Sequence, residues 1–128
     1  MKVLKFGGSS LASSENIKKV INIIIAASKK QKVIVVVSAF GKTTNALIEG
    51  AHLAQNKNSG YKKIIQKLEK HHFNVIEELI PTEQQPTIVA HIKELFNQLE
   101  TIYKGCYLLE ELSPKTLATI SSFGELLS

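Results

Sequence analysis

The chain has 128 residues, and what it lacks narrows the reading before what it contains. There is a single cysteine, Cys106, so an internal disulfide is excluded. That residue reads as a buried helical position in a protein of a reducing compartment. There is no arginine, the side chain that makes the best bidentate contacts to phosphate and base edges. The net charge of +5 therefore argues little for nucleic acid. The lysines are scattered, and an anionic small molecule suits the balance equally well. No apolar run approaches the ~20 residues of a membrane-spanning helix. Charged and glycine residues arrive by position 8, too early for the apolar segment of a secretion signal. The expectation is a cytoplasmic protein with no nucleic-acid partner and no membrane partner. The hydrophobic content of 44% argues against disorder, and the length suits one domain.

The most informative stretch is Lys5-Phe6-Gly7-Gly8-Ser9-Ser10. A short β-prone run over residues 3–6 ends beside a lysine, then come two glycines, two serines and a helical pattern. Glycines at a strand end let successive backbone N–H groups form one concave nest for an anion. A helix N-terminus just beyond adds partial positive charge, and Lys5 adds a full one. Phosphate is the simplest ligand for this arrangement.

The strand over residues 3–6 shows no alternation and predicts burial on both faces. Ser13 or Ser14 caps a helix whose core stripe is Ile17, Val20, Ile21, Ile24 and Ile25. Lys32-Val33-Ile34-Val35-Val36-Val37 is the clearest strand, and strand, helix, strand at this spacing is a βαβ unit with parallel strands. Residues 38–45 read as a loop, with a helix from about Ala46. A helix over 61–80 carries Ile64, Ile65, Leu68, Val75, Ile76 and Leu79 on one face. Pro81 and Pro86 bracket a break. A second long helix follows, with Ile88, Ile92, Leu95, Leu99, Ile102 and Cys106 at a 3.5-residue period. The two make an antiparallel hairpin. Ser113-Pro114 caps a last helix. Two strands are too few for a stable parallel sheet alone: either the helices wrap it completely or the chain is part of something larger, and since the sequence stops within a helical pattern at Leu126-Leu127-Ser128 it is read as an N-terminal fragment.

Several motifs have plainer explanations. Gly41-Lys42-Thr43 resembles the end of a P-loop, but the glycine needed five residues earlier is replaced by Val36, inside the strand. His71 and His72 point about 100° apart on a helix and cannot readily share an ion, so they read as surface or interface histidines and no metal site is expected. Lys62, Lys63, Lys67 and Lys70 read as solvated helix surface. In Ser122-Phe123-Gly124-Glu125 the helical glycine costs up to about 1 kcal/mol relative to alanine. Close approach of a ligand or of another backbone is one reason to accept that cost and packing is the competing one, and spacing does not choose between the two. What favours a site is the parallel sheet: both loops leave the same ends of neighbouring strands, on the rim where open α/β sheets bind ligands.

Three segments together resemble the aspartate kinases, within the amino-acid kinase superfamily: Lys5-Phe6-Gly7-Gly8-Ser9-Ser10, then Val36-Val37-Ser38-Ala39-Phe40-Gly41-Lys42-Thr43-Thr44-Asn45, then Ser122-Phe123-Gly124-Glu125. The stretch from Lys104 to Pro114 is similar to bifunctional members fused to homoserine dehydrogenase. The resemblance implies an α/β fold, namely a three-layer αβα amino-acid kinase-like fold. It is incomplete here, with a parallel sheet and an inserted helical hairpin. Residues 1–57 and 113–128 would form the α/β core and residues 58–112 the hairpin.

The implied activity is transfer of the ATP γ-phosphoryl group to the side-chain carboxylate of L-aspartate, with Mg²⁺, at the head of lysine, threonine and methionine synthesis. Lys5 is then the catalytic cation, and Lys5, Gly7, Gly8 and Ser9 meet the phosphates. Ser38 and Thr44 lie near the amino acid, and Glu125, buried, holds its α-ammonium. A homo-oligomer is expected, and the chain alone is expected to be inactive. Two other readings stay open: a helical assembly module built on the seam from Ile88 to Cys106, and another amino-acid kinase of the same fold.

Overall fold

The computed structural model describes residues 1–128. Two strands, β1 (Lys2–Phe6) and β2 (Val33–Val37), pair in parallel from Lys2 opposite Val33 to Phe6 opposite Val37. Between them run a 3₁₀ turn (Gly8–Leu11) and helix α1 (Ser14–Ser28). Ser13 caps α1, its Oγ accepting the Asn16 N–H at 3.2 Å. Helix α2 (Thr43–Gln55) follows β2. Helices α3 (Tyr61–Leu79) and α4 (Gln85–Leu109) form the hairpin, and Gln85 Nε2 closes its turn by donating to Ile80 O at 2.8 Å. Helix α5 (Pro114–Leu127) starts with Ser113 Oγ accepting from Thr116 N at 3.1 Å, with Pro114 in the first turn where a missing N–H costs nothing.

The main core lies among α2, α3, α4 and α5, around Leu47, Ala51, Phe96, Leu99, Tyr103 and Ile120. Tyr103 Oη donates to Leu47 O at 2.7 Å, pinning α4 to α2. A smaller cluster of Leu11, Val20, Phe40 and Val75 fastens α1 and the strand ends to α3. Ser14 Oγ donates to the Glu78 carboxylate across the same seam.

Four expectations need correction. The strands are not buried on both faces: Val3, Ile34, Val35, Val36 and Val37 are all exposed. A two-stranded sheet has neither flanking strands nor a second covering layer, and α1 shields only part of it. On α1, Val20 is buried and Ile17 and Ile24 are half-buried, but Ile21 and Ile25 face solvent for the same reason. Helix α2 begins at Thr43 rather than near Ala46, because the Thr43 N–H closes a turn onto Phe40 O at 2.9 Å. Along α4 the fully buried stripe is Ile92, Phe96, Leu99, Tyr103 and Cys106, with Ile88, Leu95 and Ile102 at its flank. The 3.5-residue period holds, but the aromatics fill the groove because α4 packs on α2 and α5 as well as α3.

Candidate functional site

The site is built on the rim where both strands end. Beyond the last strand pair, Ser38 N donates to Phe6 O at 3.0 Å, so the ladder continues one step into the loops. The chain then turns at Gly7, which is exposed and extended. It enters the 3₁₀ turn, where Gly8 O accepts the Gly41 N–H at 2.8 Å. A Cβ on Gly8 would stand 2.8 Å from Gly41 O, closer than real contacts allow, and a tight 3.1 Å from Ala39 O. The first loop is therefore laid directly on the second, backbone on backbone. Gly41 itself adopts φ +49°, a conformation costly for any residue with a side chain.

The third segment arrives from α5. A Cβ on Gly124 would stand 2.8 Å from Ala39 Cβ and 3.4 Å from Thr44 Oγ1. The glycine left open by spacing alone thus serves a close approach of α5 to the second loop. Lys5-to-Ser10, Ser38-to-Asn45 and Ser122-to-Glu125 meet around Gly8, Ala39, Gly41 and Gly124, three short segments separated by long stretches of chain.

The individual side chains fall as follows. Lys5 is exposed on β1, one residue before its end. Ser9 is exposed, and its carbonyl accepts Asn16 Nδ2 at 3.2 Å, which ties the glycine turn to α1. Ser38 is half-buried just past β2, and Thr44 is half-buried in the first turn of α2. The cap position of α2 is Lys42, with no side-chain cap; the Thr43 N–H is taken by Phe40 O and that of Ala46 by Lys42 O, which leaves those of Thr44 and Asn45 to face the rim. Glu125 is exposed, not buried as expected: it follows Gly124 on α5, where the glycine faces the loop and the next residue, about 100° further round, faces out. Around the glycine turn, Ser9 and Ser10 share a shallow hollow with Phe6, Asn16 and Lys19.

The profile of the amino acid kinase family matches residues 1–128. The chain belongs to that family. It is 34% identical over 129 residues to the chloroplast aspartokinase 1 of Arabidopsis thaliana, covering 98% of this chain and 21% of the relative. It is 35% identical over 141 residues to the bifunctional aspartokinase/homoserine dehydrogenase of Buchnera aphidicola, covering 100% of this chain and 16% of the relative. Among solved structures, E. coli aspartokinase III in complex with lysine and aspartate matches with a TM-score of 0.84 at 25% identity, over 99% of this chain and 26% of that one. The chain thus has the fold of part of an amino acid kinase and spans about a fifth of the curated relatives' length.

Sequence reasoning missed two features of this amino acid kinase rim. Asn16 buttresses the Ser9 carbonyl, and only its position three after the capping Ser13 hinted that α1 would bring it there. His72 is buried rather than a surface residue, 2% exposed, with its ring stacked on Phe40 of the second loop at 4.9 Å and 11°. The signal was present: His72 falls between Leu68 and Val75–Ile76 on the apolar face of α3. Burial pushes its pKa down, the bond to the Leu68 carbonyl pulls partly the other way, and His71 adds a lesser downward push.

Proposed function

We propose that the chain is part of an aspartate kinase, the enzyme that moves the γ-phosphoryl group of ATP onto the side-chain carboxylate of L-aspartate. The observation that carries the reading is the convergence of Gly8, Gly41 and Gly124, each at a contact with no room for a Cβ or in a positive-φ turn. Similarity to aspartokinases along nearly the whole chain supports it, as does the aspartate bound in the E. coli enzyme of like fold.

The chemistry follows from charge. An aspartate side chain, with a pKa of about 3.9, is already ionised at neutral pH and needs no general base. The obstacle is bringing that anion to a polyphosphate, so catalysis rests on positioning and on cationic stabilisation. Lys5 would neutralise charge on the transferred group. Gly7 and Gly8 would offer backbone N–H groups and Ser9 a hydroxyl to the phosphates. Ser38 and Thr44 would hold the amino acid across the rim, and Glu125 would attract its α-ammonium from an exposed position. Mg²⁺ would travel with the nucleotide, held mainly by phosphate oxygens and water, and would offset their charge.

We further assign the site of action to the cytoplasm and the assembly to a homo-oligomer, with residues 58–112 as a hairpin unit beside a core of residues 1–57 and 113–128. The 128-residue chain alone does not turn over. The test is ATP-dependent aspartyl hydroxamate formation by a longer kinase chain carrying these residues, against the same chain with Lys5→Ala. Loss of about two orders of magnitude or more in kcat with intact folding is expected from removing a cation aimed at transition-state charge. Unchanged turnover would remove Lys5 from the chemistry. A panel with glutamate and N-acetylglutamate separates aspartate from other acceptors.

A further inference from the structure

Phe40 lies between the two contacts that assemble the rim: Ala39 against Gly124 on one side, Gly41 against Gly8 on the other. Its own ring leaves the rim and stacks on His72 of α3, with Phe96 of α4 edge-on to the imidazole at 5.7 Å. His72 Nδ1 lies 2.7 Å from Leu68 O. A carbonyl only accepts, so this bond assigns the proton to Nδ1 and leaves Nε2 a bare lone pair. That lone pair is buried without a partner. His72 also borders an apolar cavity of about 290 Å³ between α1 and α3, whose wall includes Val37 and Phe40.

We propose that His72 is a positioning residue for the rim: its neutral, flat ring holds Phe40, and through Phe40 the backbone that joins the three motifs. The inference rests on reading the rim as a phosphoryl-transfer site, and it assigns α3 a part in shaping that site. A neutral ring stacks without bringing charge into an apolar pocket, whereas a protonated one would need a counter-ion. None stands nearby. His71, at 5.8 Å between ring centroids, is the titratable neighbour on α3. Leu11 of the 3₁₀ turn, the facing residues of α1 (Ile17, Val20), β2 (Val37) and α4 (Ile92, Phe96), and Leu127 of α5 are apolar. Ser128 completes the wall with an uncharged side chain. Because the folded pKa is depressed, the unfolded chain takes up the proton first as pH falls below about 6.5, and the native arrangement loses stability from there downward.

The test is amide hydrogen exchange on the ¹⁵N-labelled 128-residue chain, read at Gly41, whose N–H bonds Gly8 O, with Leu99 in the helical core as reference. Protection at Gly41 is expected to fall below about pH 6.5 more steeply than at Leu99. His72→Phe should keep the stack and Gly41 protection but abolish that extra pH step. His72→Leu should lower Gly41 protection by about two- to tenfold, the worth of an aromatic pair. Equal protection in the Phe and Leu variants, or a pH step surviving in His72→Phe, overturns the proposal. Should His72→Leu also lose Leu99 protection, Phe40→Leu removes the stack from the loop side, and unchanged Gly41 protection there overturns it equally. Lys5→Ala should leave Gly41 protection intact. ADP affinity of that variant tests the kinase reading separately.

Discussion

Gly124→Ala isolates the contact that brings α5 to the rim. Two effects oppose each other. In a helix interior, alanine is favoured over glycine by about 1 kcal/mol. Against that, the new methyl would sit 2.8 Å from Ala39 Cβ and 3.5 Å from Leu47 Cδ1. Ala39 has no rotamer to escape into, and both neighbours are buried, so the backbone itself must yield. Overpacking of this kind costs about 1–3 kcal/mol, leaving the variant about 0–2 kcal/mol less stable than the parent. Gly105 supplies the control. It also lies inside a helix, α4, but nothing comes within 4 Å of the position its Cβ would take. Gly105→Ala should therefore stabilise by about 0.5–1 kcal/mol. Urea unfolding of the purified chain and the two variants, with unchanged m-values, reads the difference directly. The two substitutions are chemically identical and should move the midpoint in opposite directions. A Gly124→Ala chain stabilised as much as Gly105→Ala would refute the close approach of α5 to Ala39, and with it the meeting of the three segments.

Tyr103→Phe should cost about 1 kcal/mol in the same unfolding assay, the net worth of a buried hydroxyl-to-carbonyl bond, because it deletes the donor to Leu47 O and nothing else. Burial raises the Tyr103 pKa well above its ordinary value, so the folded state keeps its proton when the unfolded chain begins to lose it. Stability should accordingly fall as pH rises past about 10, and a flat urea midpoint from pH 9 to 11 would contradict this. Glu110 ends α4 in the left-handed region at φ 55°. Glu110→Gly should raise the melting temperature by a few degrees, since glycine adopts that conformation without the ~1 kcal/mol strain. The exposed valines and isoleucines of β1 and β2 predict self-association that grows with concentration in sedimentation runs. A strictly monomeric chain would count against a sheet with open faces.

The elements were legible because each carries its own local physics. Ser13 and Ser113 announce helix starts, the β-branched run from Val33 to Val37 announces a strand, and Pro81 and Pro86 mark the hairpin turn. The rim was legible too, since parallel strands must send both loops to the same end. Burial was not legible to the same degree, because periodicity says only which residues share a face and not what covers that face. The apolar face of α1 and both strands satisfy every rule for a core, yet Ile21, Ile25 and Val36 meet solvent.

The same limit hid His72. The divergence of His71 and His72 by about 100° bears on metal binding and not on burial, while the spacing of His72 puts it on the apolar face of α3. Burial is tolerated for a definite reason: the Leu68 carbonyl satisfies one ring nitrogen inside the helix, and Phe40 and Phe96 pack the remaining ring as an aromatic. Only one lone pair is left to oppose burial, at a cost of about 1–3 kcal/mol. Gly124 teaches the complementary point. A glycine that weakens its own helix is unexplained until the partner it approaches is known, and that partner, Ala39, lies 85 residues away in a loop whose course depends on Gly8 and Gly41. Each of the three glycines is therefore locally unfavourable or indifferent, and becomes necessary only in the presence of the other segments. A substitution at any one of them should disturb contacts at the other two before it disturbs the helical core.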